Sequence, residues 1–161
     1  IAQQVQNGIK TIGSLMPLAH EYGIQVAIEN GKLNTVQEVK EIIEGVNDPF
    51  FGCALDTCNS TCFITPTETV VRTLAPYAKT VHFKDYVVTL NSRGDVITGV
   101  PLGEGYVDFP LMLSILKENG FDGNIFLELY IDRCENHADT VAYEEECVTR
   151  SIAYARSALG F

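Results

Sequence analysis

Four short β-like runs each carry a side chain able to bind a metal at or near the C-terminal end: "QVAIE" with Glu29, "GCALD" with Asp56, "VHFKD" with His82 and "IFLEL" with Glu128. Strand side chains alternate between two faces. In the first run Val26 and Ile28 share one face, and Ala27 and Glu29 the other. In the second, Cys53 and Leu55 oppose Gly52, Ala54 and Asp56; in the third, Val81 and Phe83 oppose His82 and Lys84. In the fourth, Ile125, Leu127 and Leu129 oppose Phe126 and Glu128. Every run thus has one bulky face suited to a covering helix and one face bearing a metal-capable group. Three carboxylates and an imidazole form an O,O,O,N set. Carboxylates brought together raise one another's pKa unless a cation is present. A hard or borderline divalent ion such as Mn²⁺, Mg²⁺ or Co²⁺ suits these donors. Taken singly, a Glu at a strand end is a solvated rim residue more often than a ligand, a strand His is more often a satisfied core residue, and an Asp can be a cap. The common facing of all four is what points to a metal. Lys84 shares the facing of His82 and is placed to reach a substrate oxygen or phosphate.

The elements that must position these residues alternate in kind. Val5, Ile9, Ile12, Leu15, Met16 and Ala19 recur at helical spacing, and Gly23 ends that helix. "IQVAIEN" follows as a strand. Asn34 or Thr35 caps a helix with Val36, Val39, Ile42, Ile43 and Val46 on one stripe. "NDP" breaks it, and "FFGCALD" is the next strand. Thr65 is expected to cap a helix that has Pro66 at its first position and runs to about Ala78. "TVHFKD" is the third strand. "NSRGD" reads as a turn between two extended pieces, "YVVTL" and "VITGV". Asp108 caps "FPLMLSILKENG", "GNIFLELY" is the fourth strand, and residues 138–159 form the last helix. Strands alternating with helices imply a parallel sheet with covered faces, and in a (β/α)-barrel active sites form at the C-terminal strand ends.

The bulk composition narrows the partners. The chain has 161 residues, 46% hydrophobic and 20% charged, with a formal net charge of −10. That is a core-forming composition in one ordinary domain, and its acidity argues against nucleic acid and anionic lipid as partners. No apolar run reaches the roughly 18–20 residues of a membrane span. Cys53, Cys58, Cys62, Cys134 and Cys147 form no CxxC pair, as expected of reduced thiols in a cytoplasmic protein.

"EYGIQVAIEN", "GCALDTCNS", "VHFKD" and "PLGEGYVDFPLMLSILKENGFDGNIFLELY" together resemble the C-terminal half of the sugar phosphate isomerase/epimerase family, within the xylose-isomerase-like TIM-barrel superfamily. The resemblance runs from about residue 12 to 160. It implies that Glu29, Asp56, His82 and Glu128 bind one divalent metal, and that Glu29 and Glu128 also act as acid and base. The family's substrate-positioning histidine falls on Asn59, and Val88 lies near the place of an arginine found in the ketose epimerases. Arg93 and Arg133, in the loops after the third and fourth strands, are further substrate-phosphate contacts to test against a surface role. The implied activity is isomerisation or epimerisation of a sugar, sugar phosphate or related hydroxy-ketone. A dehydratase of a keto-polyol on the same site and a metal-dependent phosphodiesterase of the endonuclease IV type remain as alternatives. "GEG" at 103–105 resembles a family loop and equally suits a tight turn.

A full (β/α)8 barrel needs eight strands and about 250 residues. Four strands are counted here, so the expected fold is the last four βα units of a TIM barrel plus the preceding helix. The chain begins with Ile1 inside a helical pattern, and it is read as a truncated protein or as a half-barrel that pairs with its own copy.

Overall fold

The computed structural model describes residues 2–92 and 94–161. Helix α1 (Ala2–Tyr22) buries Val5, Met16 and Ala19 and stops at Gly23, whose φ of 64° is the left-handed conformation a side chain resists. Strand β1 (Val26–Glu29) leads to α2 (Val36–Val46). Thr35 begins α2 with a reciprocal capping box: its hydroxyl accepts from the Glu38 N–H, and the Glu38 carboxylate accepts from the Thr35 N–H at 2.7 Å. Strand β2 (Phe51–Asp56) is followed by a 3-10 turn over Asn59–Phe63 and then α3 (Thr67–Leu74).

Helix α3 is shorter at both ends than the sequence suggests. The cap position is Pro66, with no side-chain cap, while the Thr65 N–H turns back to the Ser60 carbonyl. At the other end Pro76 has no N–H to continue the ladder, so the chain tightens into a 3-10 turn at Ala75–Tyr77 instead of reaching Ala78 as helix. Strand β3 (Ala78–Phe83) comes next, then the antiparallel hairpin β4 (Asp85–Asn91) and β5 (Gly94–Val100). Helix α4 (Phe109–Glu118) starts at Asp108, whose carboxylate accepts from the Leu111 N–H. Strand β6 (Asn124–Leu127) and α5 (His137–Tyr154) complete the order, with a wider π turn at Ala155–Leu159.

The sheet order is β1-β2-β3-β6, all parallel, so each adjacent pair requires a crossover, here made through helices. Cys53, Leu55, Val81 and Phe83 lie fully buried on the helix-covered face, against Val39, Val71, Leu74, Phe109 and Met112. Burying each of the larger side chains contributes about 1.5–3 kcal/mol, and this face holds the strands in register. Asp56 pairs with His82, and His82 with Phe126, while Glu29 lies opposite Ala54. The strand expected to run through Tyr130 ends its ladder at Leu127. Glu128 lies one residue beyond, its N–H still bonded to the Phe83 carbonyl at 3.1 Å. Past that point the backbone leaves the sheet and packs on the hairpin. The Tyr130 carbonyl lies where a Cβ on Gly99 would stand, so that approach requires glycine. No helix among the described residues is long and apolar enough to cross a membrane.

Candidate metal centre

The two-residue period of the strands carries Glu29, Asp56, His82 and Glu128 to the same end of the sheet. Each offers one ligand atom, and these atoms all lie within 4.8 Å of one another. Asp56 is fully buried. Its Oδ1 accepts from the N–H groups of Cys58 at 2.8 Å and Asn59 at 2.7 Å, where the chain enters the 3-10 turn. Those two bonds aim Oδ2 into the cluster, where it has no aligned hydrogen-bond donor although Lys84 Nζ stands 3.0 Å away. His82 Nδ1 is buried and also lacks an aligned partner. It faces Glu128 Oε2 at 2.9 Å and Glu29 Oε1 at 3.8 Å. Buried polar atoms are almost always satisfied, and two lone pairs do not approach this closely without a proton or cation between them. The donor set therefore fits a divalent ion. Charge agrees: three carboxylates against the single Lys84 ammonium leave two negative charges.

The two glutamates differ from Asp56 in access. Each side chain is 43% exposed, so each can meet both a metal and an incoming molecule. Lys84 is buried, and its Nζ lies 2.9 Å from Glu128 Oε1 as well as 3.0 Å from Asp56 Oδ2. Burial works against its ammonium, yet the hydrogen bond to Glu128 and the charge of Asp56 outweigh that and hold the lysine pKa above its ordinary value. Asn59 bridges the two sides: its Nδ2 donates to Glu29 Oε1 at 2.7 Å, and its Oδ1 accepts from Lys84 Nζ at 3.4 Å.

A cavity of about 160 Å³ adjoins the cluster, lined among others by Asn59, Lys84, Tyr86, Ile97 and Tyr130. Cys58 also lines it, but burial pushes its thiol pKa up, so it is not poised as a thiolate nucleophile. Arg133 is exposed and lines a different cavity, with His137 and Glu144, so the structure does not bring it to Asn59 and Lys84. Arg93 lies outside the described residues.

Three supporting residues escaped the sequence reading. Asn30 is fully buried and clamps β1 to β2, donating to the Asp56 carbonyl at 2.9 Å and accepting from the Asp56 N–H at 2.7 Å. The Thr57 hydroxyl donates to the Lys84 carbonyl at 2.8 Å and accepts from the Lys84 N–H at 2.9 Å, fixing β2 against β3. The buried Asp85 carboxylate accepts from the N–H groups of Tyr86, Gly103, Gly105 and Val107. A Cβ on Gly105 would collide with that carboxylate, so the glycine of "GEG" makes room for Asp85. Glu104 points the other way and pairs with Arg150 of α5. The available signal was a second polar residue directly after Glu29, Asp56 and Lys84. Alternation turns such a residue toward the buried face, where it must find partners.

Residues 2–154 match the xylose isomerase-like TIM barrel family. The L-ribulose-5-phosphate 3-epimerase UlaE of Salmonella paratyphi A is 26% identical over 123 residues, 76% of this chain and 41% of that protein. Among solved structures, D-psicose 3-epimerase in the presence of D-fructose superposes with a TM-score of 0.72 at 20% identity, over 99% of this chain and 58% of that one. A xylose isomerase-like TIM barrel protein from Mycobacterium smegmatis in complex with magnesium gives 0.70 at 19%, over 95% and 52%. The IolI protein with a bound zinc atom gives 0.71 at 21%, over 94% and 55%. The chain belongs to the xylose isomerase-like TIM barrel family, and its four parallel βα units are a part of that barrel. It spans less than half the length of the curated relatives it matches.

Proposed function

We propose that this chain is the C-terminal half of a divalent-metal-dependent sugar isomerase or epimerase, working on a small hydroxy-ketone by proton transfer alpha to the carbonyl through an enediolate. The observation that carries the proposal is the convergence of ligand atoms of Glu29, Asp56, His82 and Glu128 within 4.8 Å, with the two glutamate side chains partly exposed and the aspartate buried. The names of the relatives agree with it: a ketose-phosphate 3-epimerase by sequence and a ketose 3-epimerase by fold. Mn²⁺ is the ion we assign, with Mg²⁺ or Co²⁺ as substitutes. When bound, it would supply Lewis-acid polarisation of the substrate carbonyl.

The residues divide the remaining work. Asp56, locked by two backbone N–H groups, anchors the site and has no access to substrate. Glu29 and Glu128 stand partly exposed on either side of His82, one to take the proton from carbon and the other to return it. Asn59 holds the Glu29 carboxylate, and both Asn59 and Lys84 present polar atoms to the cavity where the substrate would lie. Two alternative chemistries use related sites. A dehydratase would expel a β-hydroxyl from the same enediolate, whereas an endonuclease IV-type phosphodiesterase needs two or three zinc ions.

The test uses the full-length protein. Metal analysis should give about one ion per chain, and three zinc ions would favour the phosphodiesterase. Deuterium incorporation from heavy water into ketoses and ketose phosphates should be abolished by Glu128→Gln, since an amide cannot accept the proton. Glu29→Gln should be equally damaging in an epimerase, where two faces need two bases, and less so where one glutamate shuttles the proton between adjacent carbons. Full exchange by both variants with metal in place would leave the glutamates as ligands only.

A further inference from the structure

The cavity beside the metal cluster has a second cationic feature, at the C-terminal end of β1. The Lys32 ammonium sits over the Tyr130 ring, 4.3 Å from its centroid, and both residues line the cavity. Among the described residues Lys32 makes no ion pair with any carboxylate, in a chain of net charge −10. The other lysine on the cavity, Lys84, is already neutralised by Asp56 and Glu128, and the Asp85 carboxylate on its wall is saturated by four backbone N–H groups. Uncommitted positive charge in this cavity therefore resides at Lys32. An ammonium resting on an aromatic face keeps N–H donors free, and the ring restrains a long side chain that would otherwise have to be ordered on binding. The Tyr130 backbone packs against Gly99 of the hairpin, which places its exposed ring beside the cavity.

We propose that Lys32 on Tyr130 is an anion subsite for the substrate end remote from the carbonyl. It would select hydroxy-ketones that end in a phosphate monoester or a carboxylate over neutral sugars. The identification of the carbonyl end rests on the isomerase reading above; the subsite itself rests on Lys32, Tyr130 and the cavity. Lys32 and Tyr130 lie in the loops after β1 and β6, and none of the four metal ligands lines the cavity they share.

The test separates binding from turnover. In the full-length protein, calorimetric affinity is measured for a pentitol 5-phosphate, a pentonate and a neutral pentitol, none of which has a ketone to react. The anionic probes should bind at least tenfold tighter than the neutral one. Lys32→Met should erase that preference while leaving the neutral pentitol and the metal content unchanged, and Lys32→Arg should restore most of it. Tyr130→Leu should weaken anion binding and Tyr130→Phe should not. Retention of phosphate over carboxylate marks the substrate as a sugar phosphate, and the reverse as a keto acid; either supports the subsite. An equal loss for neutral and anionic probes, or no loss, overturns it. Charge-selective binding without proton exchange would count against the isomerase and leave the subsite standing, whereas exchange with charge-blind binding would do the opposite.

Discussion

Lys84 is the residue whose position most constrains the centre. Its ammonium lies between a fully buried aspartate and a half-exposed glutamate, so it partly neutralises carboxylates that would also hold a bound ion. Removing one partner of a buried pair typically costs about 3–5 kcal/mol, because the other charge is left uncompensated. Lys84→Met is therefore expected to unfold at a markedly lower temperature in chelator, and added Mn²⁺ should recover more stability in the variant than in the wild type. Differential scanning fluorimetry with and without metal measures this. A variant as stable as the wild type in chelator would show that the ammonium does not balance Asp56.

Among the elements, the "GEG" loop is tied to the start of the hairpin by the side chain of Asp85 in β4, whose carboxylate accepts from the N–H groups of Tyr86, Gly103, Gly105 and Val107. An amide in that place offers one oxygen and two donors, so Asp85→Asn leaves buried N–H groups facing an NH2. Each unsatisfied buried donor costs about 1–3 kcal/mol. The expected result is faster amide hydrogen exchange at Gly103, Gly105 and Val107, together with a weaker cavity wall at Ile97 and Gly99, which the hairpin contributes. Protection unchanged from wild type at those amides would remove Asp85 as the tether. The loop's other supports, the Arg150–Glu104 pair and the Ser151 hydroxyl accepting from the Leu102 N–H, should hold its far side to α5.

For the whole molecule, the consequence of a four-stranded parallel sheet is two open edges. Strands β1 and β6 pair on one side only, and Phe126 is 52% exposed on the face away from the helices. Unpaired parallel edges template association with other chains. Residues 1–161 expressed alone should therefore elute as oligomer or aggregate, measured by light scattering after size exclusion. A monomer with one cooperative thermal transition would contradict that expectation.

Local pattern was enough to read the alternation of strands and helices, the facing of Glu29, Asp56, His82 and Glu128, the cap at Asp108 and a cap at Asn34 or Thr35, because each depends on a period or a neighbour a few residues away. The family resemblance likewise rested on the strand-end motifs themselves. Other features depended on contacts far along the chain. Pro76 cut α3 short in favour of a 3-10 turn, and Glu128 fell just beyond its strand because Tyr130 leaves the sheet to meet Gly99. The saturation of Asp85, the clamp of Asn30 and the placement of Arg133 in a separate cavity are pairings between segments 18 or more residues apart or choices of loop path. Periodicity determines which way a side chain faces, but only the folded chain determines what it faces, since that depends on which loops close over the strand ends.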